Sequence, residues 1–174
     1  MSDDAFEVQI ILAEPSRLRQ LNSHTGDGPG DTIGDCFRTC IACLLGCPDP
    51  SFVPHFVEET IRAGLDEHGG WEDIAAARRW LREHEQLDLA MVDISEAQRV
   101  GAAFLATVRS KAGPWNHSVV VDQAGLVWCP TTGDAGSYSV DDIIEPIATV
   151  LVLPYDPDPD EQLAAWRSLA AVDG

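Results

Sequence analysis

Positive charge is what this chain has least of. Its 174 residues carry 11 lysines and arginines against 29 aspartates and glutamates, a formal net charge of −18, and Lys111 is the only lysine. Nucleic-acid binding rests on neutralising phosphates with Lys and Arg, so a broad nucleic-acid interface is excluded. Long apolar runs are missing too. The longest strong one covers residues 147–153, far short of the roughly 20 residues of a membrane-spanning helix, so no membrane partner is expected. The opening Met1-Ser2-Asp3-Asp4 is acidic where a signal peptide is basic, which points to the cytoplasm. The acidity reads first as a soluble, self-repelling surface. A partner with a basic surface, or mimicry of nucleic acid, is the sharper reading of the same numbers.

Cysteine is scarce but unevenly placed. Four of the five stand in Gly34-Asp35-Cys36-Phe37-Arg38-Thr39-Cys40-Ile41-Ala42-Cys43-Leu44-Leu45-Gly46-Cys47, and the fifth is Cys129. A chain of this length buries a core without covalent staples, and an odd cysteine count favours thiol chemistry or metal binding over a disulfide framework. At about 100° per residue, positions 36, 40, 43 and 47 fall within an arc of about 60°. Asp35 stands at an N-cap position and Gly46 and Pro48 close the segment, so a helix is predicted over 36–45. On it Cys40, Cys43 and Cys47 read as small buried apolar residues. Cys36 differs because it opens the helix, where unpaired N–H groups and the positive dipole end stabilise a thiolate.

Metal is the rival reading. The spacing Cys36-x-x-x-Cys40-x-x-Cys43 is one that radical enzymes use to hold a four-iron cluster, with Cys47 able to add a sulfur. Such enzymes need a βα barrel that the order of elements does not supply, and structural zinc would want paired Cys-x-x-Cys arms. No metal and no cofactor are expected.

Residues 6–13 alternate Phe6, Val8, Ile10 and Leu12 with Glu7, Gln9 and Ile11, predicting a strand. The turn-rich stretch 15–34 is a loop. A short helical region is expected from Ser51 toward Leu65, broken at Gly69-Gly70. Residues 71–85 place Trp71, Ile74, Ala77 or Arg78, and Leu81 at helical spacing, an amphipathic helix. Then come five β-branched-rich runs, 87–92, 103–108, 117–121, 126–129 and 147–153, with Asp122-Gln123-Ala124-Gly125 as a hairpin turn and Ser139-Val140-Asp141-Asp142 as the capped start of a short helix. Helices first and sheet later make an α+β domain: residues 1–35 strand and loop, 36–85 helical, 87–154 sheet. Residues 155–174 form an acidic linker and a terminal helix over 161–171, with Leu163, Trp166 and Leu169 free to dock or bind.

A thiolate nucleophile needs a base, usually a histidine from another element. His24 lies in the loop, His55 beside a helix, and His68 and His84 in polar helix-end contexts. His117 follows Gly113-Pro114-Trp115-Asn116 and opens the strand Ser118-Val119-Val120-Val121, a rigid mount for a catalytic ring.

Gly34-Asp35-Cys36-Phe37-Arg38-Thr39-Cys40, Val53-Pro54-His55-Phe56 and His117-Ser118-Val119-Val120 occur in that order over about 34–130. On these motifs the chain resembles papain-like cysteine hydrolases, in particular small bacterial and phage members with a Gly-Asn-Cys-Phe-x-x-Cys helix. The resemblance implies a papain-like domain over 1–154, its cysteine helix packed on an antiparallel sheet. It implies Cys36 as nucleophile, His117 as base, and a protein or peptide substrate cut at a peptide, isopeptide or side-chain amide. An upstream glutamine, here Gln20, would help hold the oxyanion, with Asn22 and His24 as alternatives. Trp115 and Asn116 would contact substrate. Two positions depart from the pattern. Cys129-Pro130 stands where relatives carry Asp-Pro, so the acid that orients the histidine would be Asp134, with Asp122 second, or a Cys-His dyad would suffice. Asp35 replaces a neutral residue and brings negative charge beside the nucleophile. Cys129 also motivates a different class, an inactive papain-like binding or inhibitor protein.

Overall fold

The computed structural model describes residues 8–26, 28–65 and 71–172. Its helices are α1 (Cys36–Leu44), α2 (Phe56–Arg62), α3 (Trp71–His84), α4 (Ile94–Val100) and α5 (Pro159–Val172), and its strands β1 (Asp88–Asp93), β2 (Phe104–Arg109), β3 (Asn116–Val121), β4 (Val127–Trp128) and β5 (Ile147–Val152). The strands form one antiparallel sheet in the order β1-β5-β2-β3-β4. The architecture is α+β. Among the described residues no helix is long and apolar enough to cross a membrane.

Strand alternation divides the core in two. Leu89, Leu105, Val120 and Leu151 face the helical layer and pack with Phe37, Cys40, Ile41, Cys43, Phe56 and Leu81. Their neighbours Ala90, Phe104, Val119, Val121, Val150 and Val152 form a second cluster with Ala97 of α4 and Tyr138. The sheet is therefore buried on both faces, which explains why its strands read as β-branched runs with little polar alternation.

Three corrections to the sequence reading have physical causes. The strand predicted over 6–13 is not one: residues 6 and 7 lie outside the described residues, and Ile10 makes a single bridge to Val152 before Pro15 ends the extended run. Ile11 N–H still donates to Leu151 (2.8 Å) and Leu153 N–H to Gln9 (3.0 Å), so the segment lies against the end of β5. The helix expected from Ser51 is split. A single 3-10 turn covers Pro50–Phe52, and α2 starts afresh after Pro54, with His55 Nδ1 accepting from Glu58 N–H at 3.3 Å. The α4 helix was not foreseen, although Asp93 before it and Gly101 after it, at φ 72°, are ordinary start and stop residues. Seven residues are too few for a periodic pattern to show. The break expected at Gly69-Gly70 and His68 lie outside the described residues.

The amphipathic stripe of α3 contains a surprise at its centre. Arg78 is 1% exposed and Asp88 fully buried. Its guanidinium makes two bonds to the Asp88 carboxylate, 2.8 Å and 2.9 Å, while Arg82 Nε adds a third at 2.7 Å. Arg78 also donates to Gln162 Oε1 of α5 (2.6 Å) and to the Pro157 carbonyl (3.0 Å), and Arg82 donates to the Tyr155 carbonyl. A buried charge of this kind survives only when fully paired, and the pairing here joins α3, β1 and the C-terminal segment. The Trp71 and Trp166 rings meet at 4.4 Å further along the same contact. The terminal helix thus docks on α3, although Leu169 stays 66% exposed.

Removing Arg78 leaves a buried carboxylate short of two bonds. Arg78→Ala should cost roughly 3 kcal/mol in urea unfolding, the usual scale for breaking a buried pair, whereas Arg99→Ala, which breaks the surface pair with Glu96, should leave the unfolding midpoint in place.

Candidate active site

Cys36 is the first residue of α1 and is half-buried. Asp35 precedes it, but its side chain does not cap the helix as the sequence reading supposed. Its backbone carbonyl accepts from Thr39 N–H (3.0 Å) and Thr39 Oγ1 (2.8 Å). The carboxylate, fully buried, points back to the incoming loop. It accepts from Asn22 N–H (2.8 Å), Leu21 N–H (3.3 Å) and Arg38 Nε (3.0 Å). The negative charge beside the nucleophile is therefore paired with a guanidinium and two amides, and no capping side chain takes up the N–H groups of the first turn. Gly34 is required where it stands, because a Cβ there would lie 2.8 Å from His24 Cβ.

His117 is the second residue of β3, paired with Val108 and 6% exposed. Its Nε2 lies 3.3 Å from Cys129 Sγ and 3.2 Å from Thr131 Oγ1. Thr131 Oγ1 is in turn 2.9 Å from Gln20 Oε1, and Gln20 Nε2 donates to the Asn22 carbonyl at 2.7 Å. Gln20 N–H donates to Pro130 O (2.9 Å), so both ends of this chain are fastened to the same loop. Among the described residues no hydrogen bond joins His117 to Cys36, nor does any reach Nδ1.

The two residues nevertheless line one cavity of about 570 Å³, together with Gln20, Thr131, Trp115 and Asn116. Phe37, Val57, Trp71, Ile74, Leu105 and Ile147 supply much of its apolar wall, and among the described residues its carboxylates are Asp73 and Glu145 and it has no lysine or arginine. The structure thus gathers Cys36, His117, Gln20, Trp115 and Asn116. Trp115 meets the His24 ring edge-on at 4.8 Å, and His24 Nδ1 accepts from Gly34 N–H at 3.1 Å.

Asp134 is not among them. Its backbone bridges Cys129, but its carboxylate accepts from Gly136 N–H (3.1 Å), Ser137 N–H (3.0 Å) and Ser137 Oγ (3.1 Å). These bonds, led by the Ser137 hydroxyl, hold its carboxyl below the ordinary value. It stabilises its own turn and does not reach His117. Asp122 caps the hairpin instead, accepting from Ala124 and Leu126 N–H at 2.9 Å each. Thr131, which does meet the ring, was missed. The available signal was its place two residues beyond Cys129, where a short polar side chain follows a proline.

Cys40 and Cys43 of the cysteine stripe are fully buried in the helical-side core, whereas Cys47 lies past the end of α1 and is half-buried, and among the described residues no three metal-ligating side chains converge. Of the other histidines, His55 is buried with Nε2 3.1 Å from the Ile33 carbonyl, and His84 stacks on Trp80 at 5.3 Å.

Burial pushes the Cys43 thiol from 9.0 up to about 11, opposed in part by the Leu18 N–H, and burial also raises Cys40 well above 9.0. Below pH 9 these thiols are neutral whether the chain is folded or not. Above it the unfolded chain releases the protons first, so their contribution to stability is lost as pH rises through the folded value. The urea midpoint should therefore fall between pH 9 and about 11, and Cys43→Ala should make that fall shallower by about 2 kcal/mol.

No protein family model, curated protein or solved structure matches the chain.

Proposed function

We propose that this protein is a papain-like cysteine hydrolase or acyltransferase, acting on a peptide, isopeptide or side-chain amide. The observation that carries the reading is the joint position of Cys36 and His117 on one cavity, with the histidine held through Nε2 by Cys129 and Thr131 and no hydrogen bond among the described residues on its Nδ1. A cysteine helix packed on an antiparallel sheet that carries the histidine supports this reading.

In this mechanism His117 Nδ1 takes the Cys36 proton as the sulfur attacks the carbonyl carbon. The tetrahedral oxyanion is met by N–H groups of the first turn of α1, which no capping side chain occupies. Gln20 adds the amide hydrogen that Asn22 does not use. Donors aimed at developing charge are usually a large catalytic term. The C–N bond then breaks, the amine leaves with the proton returned by His117, and a thioester remains on Cys36. Water, deprotonated by His117, attacks the thioester and releases the acid; an amine acceptor in its place gives acyl transfer. Catalytic hydrogen bonds are often long until substrate draws the groups together, and in this mechanism the Cys36–His117 bond closes as the sulfur attacks.

The cavity wall favours an apolar group next to the scissile amide, and its carboxylates favour neutral or cationic substrates over anionic ones. That preference agrees with a partner of basic surface for a chain of net charge −18.

Alkylation followed by peptide mapping tests the site. Iodoacetamide near neutral pH should label Cys36 before every other cysteine and at least tenfold faster than an ordinary exposed thiol, because a thiolate is the reacting species. His117→Ala should remove that advantage. Preferential labelling of Cys129, or no advantage at Cys36, would overturn the reading in favour of a binding protein on the same scaffold. In a peptide-amide library assayed by mass spectrometry, wild type should cleave apolar and basic sequences ahead of acidic ones. Cys36→Ala should cleave none.

A further inference from the structure

We infer that Thr131, held by Gln20, takes the place of the acid that would orient the base: a neutral hydrogen-bond chain fixes which nitrogen of His117 carries the proton. The inference rests on the hydrolase reading for its purpose, but its geometry stands separately.

The polarity of the chain follows from donor counting. Gln20 Nε2 sits 2.7 Å from the Asn22 carbonyl, which only accepts, so that end of the amide must be the nitrogen. A flipped amide would set two oxygens against each other. Gln20 Oε1 therefore faces Thr131 Oγ1 at 2.9 Å and needs a donor. A threonine hydroxyl has one hydrogen, and it goes there. Toward His117, 3.2 Å away, Thr131 Oγ1 can then only accept. Nε2 must be the protonated nitrogen, and Nδ1 holds the lone pair.

Cys129 does not reverse this. Its thiol lies 3.3 Å from Nε2 and is a weak donor and a weak acceptor. If the thiol donated to Nε2, the Thr131 hydroxyl would have to donate there as well or face another lone pair, and Gln20 Oε1 would lose its donor. With Nε2–H shared between the hydroxyl and the sulfur, every group in the chain is satisfied, and no buried side-chain nitrogen or oxygen among the described residues is left without a partner.

The far end is fixed as well. Asn22 N–H donates to the Asp35 carboxylate, and Asp35 is the residue before Cys36. One connected path thus runs from the start of α1 through Asn22, Gln20 and Thr131 to the His117 ring. Thr131 acts through His117 as a positioning residue, and Gln20 holds it there in addition to its own place at the oxyanion. Since the path ends on no carboxylate at His117, it sets the tautomer without contributing a charge to stabilise the imidazolium.

Long-range proton–nitrogen correlation spectra of ¹⁵N-histidine-labelled protein, at a pH where imidazole is neutral, read the tautomer directly, with His117→Gln supplying the assignment. Wild type should give the Nε2–H pattern. Thr131→Val should lose that preference and slow Cys36 alkylation about three- to tenfold, the worth of one neutral hydrogen bond. Thr131→Ser should restore both. An Nδ1–H pattern in wild type would overturn the inference, as would an unchanged tautomer in Thr131→Val or a switch caused by Cys129→Ala alone. If wild type shows the Nε2–H pattern but Cys36 reacts no faster than an ordinary thiol, the hydrolase reading fails while the tautomer assignment stands.

Discussion

The buried carboxylate of Asp35 is the constraint on which the site depends. Placing an ion beyond the reach of water costs several kcal/mol unless donors surround it, and here those donors come from two separate stretches of chain. Arg38 supplies one from within α1, and the Leu21 and Asn22 amides supply two from the long loop before it. The loop therefore cannot drift. Because it is held, Gln20 reaches Thr131, and the first turn of α1 opens onto the cavity with its N–H groups not occupied by the side chain that precedes them. An apolar residue at position 35 would take the carboxylate from Arg38, leaving it the Val53 carbonyl, and would remove the acceptor of the Leu21 and Asn22 amides.

A second buried ion pair does comparable work between α3 and β1. Arg78 and Asp88 bind each other where an apolar stripe would ordinarily run, and Arg78 carries the bond onward to Pro157 and Gln162. The C-terminal helix is thereby fastened to α3, and α3 supplies Trp71 and Ile74 to the cavity wall. The pair sets the position of one wall of the cavity, and Asp35 sets the mouth where the nucleophile stands.

Much of the sheet was legible because its cause is local and periodic. Five β-branched runs bounded by turn residues became β1 to β5 within one residue at every end, and the Asp122–Gly125 turn formed as its residues require. The cysteine helix was equally legible from its stripe and its stop signals. Short or polar features were not. The α4 helix is too brief to show a period, the strand over 6–13 lost its ladder to a single bridge, and the helical spacing that offers Ala77 or Arg78 for the inward stripe gives no sign that Arg78 is the buried centre of a network. In the site, Cys36, His117 and Gln20 were visible as residue types at telling places. Asp134 was chosen for proximity in sequence, but its own turn claims the carboxylate.

The sequence by itself determined the five strands of the sheet, the inward face of Cys40 and Cys43, and the placing of one cysteine at a helix start and one histidine at a strand start. Those depend on periodicity and on residues that begin and end elements, and both act within a few positions along the chain. Only the tertiary structure decided which side chain meets the histidine, where the charge of Asp35 goes, and that Gln20 lies beside Thr131, 111 positions away. Hydrogen bonds between distant segments depend on distances of a few tenths of an ångström, and packing of the whole chain sets those distances.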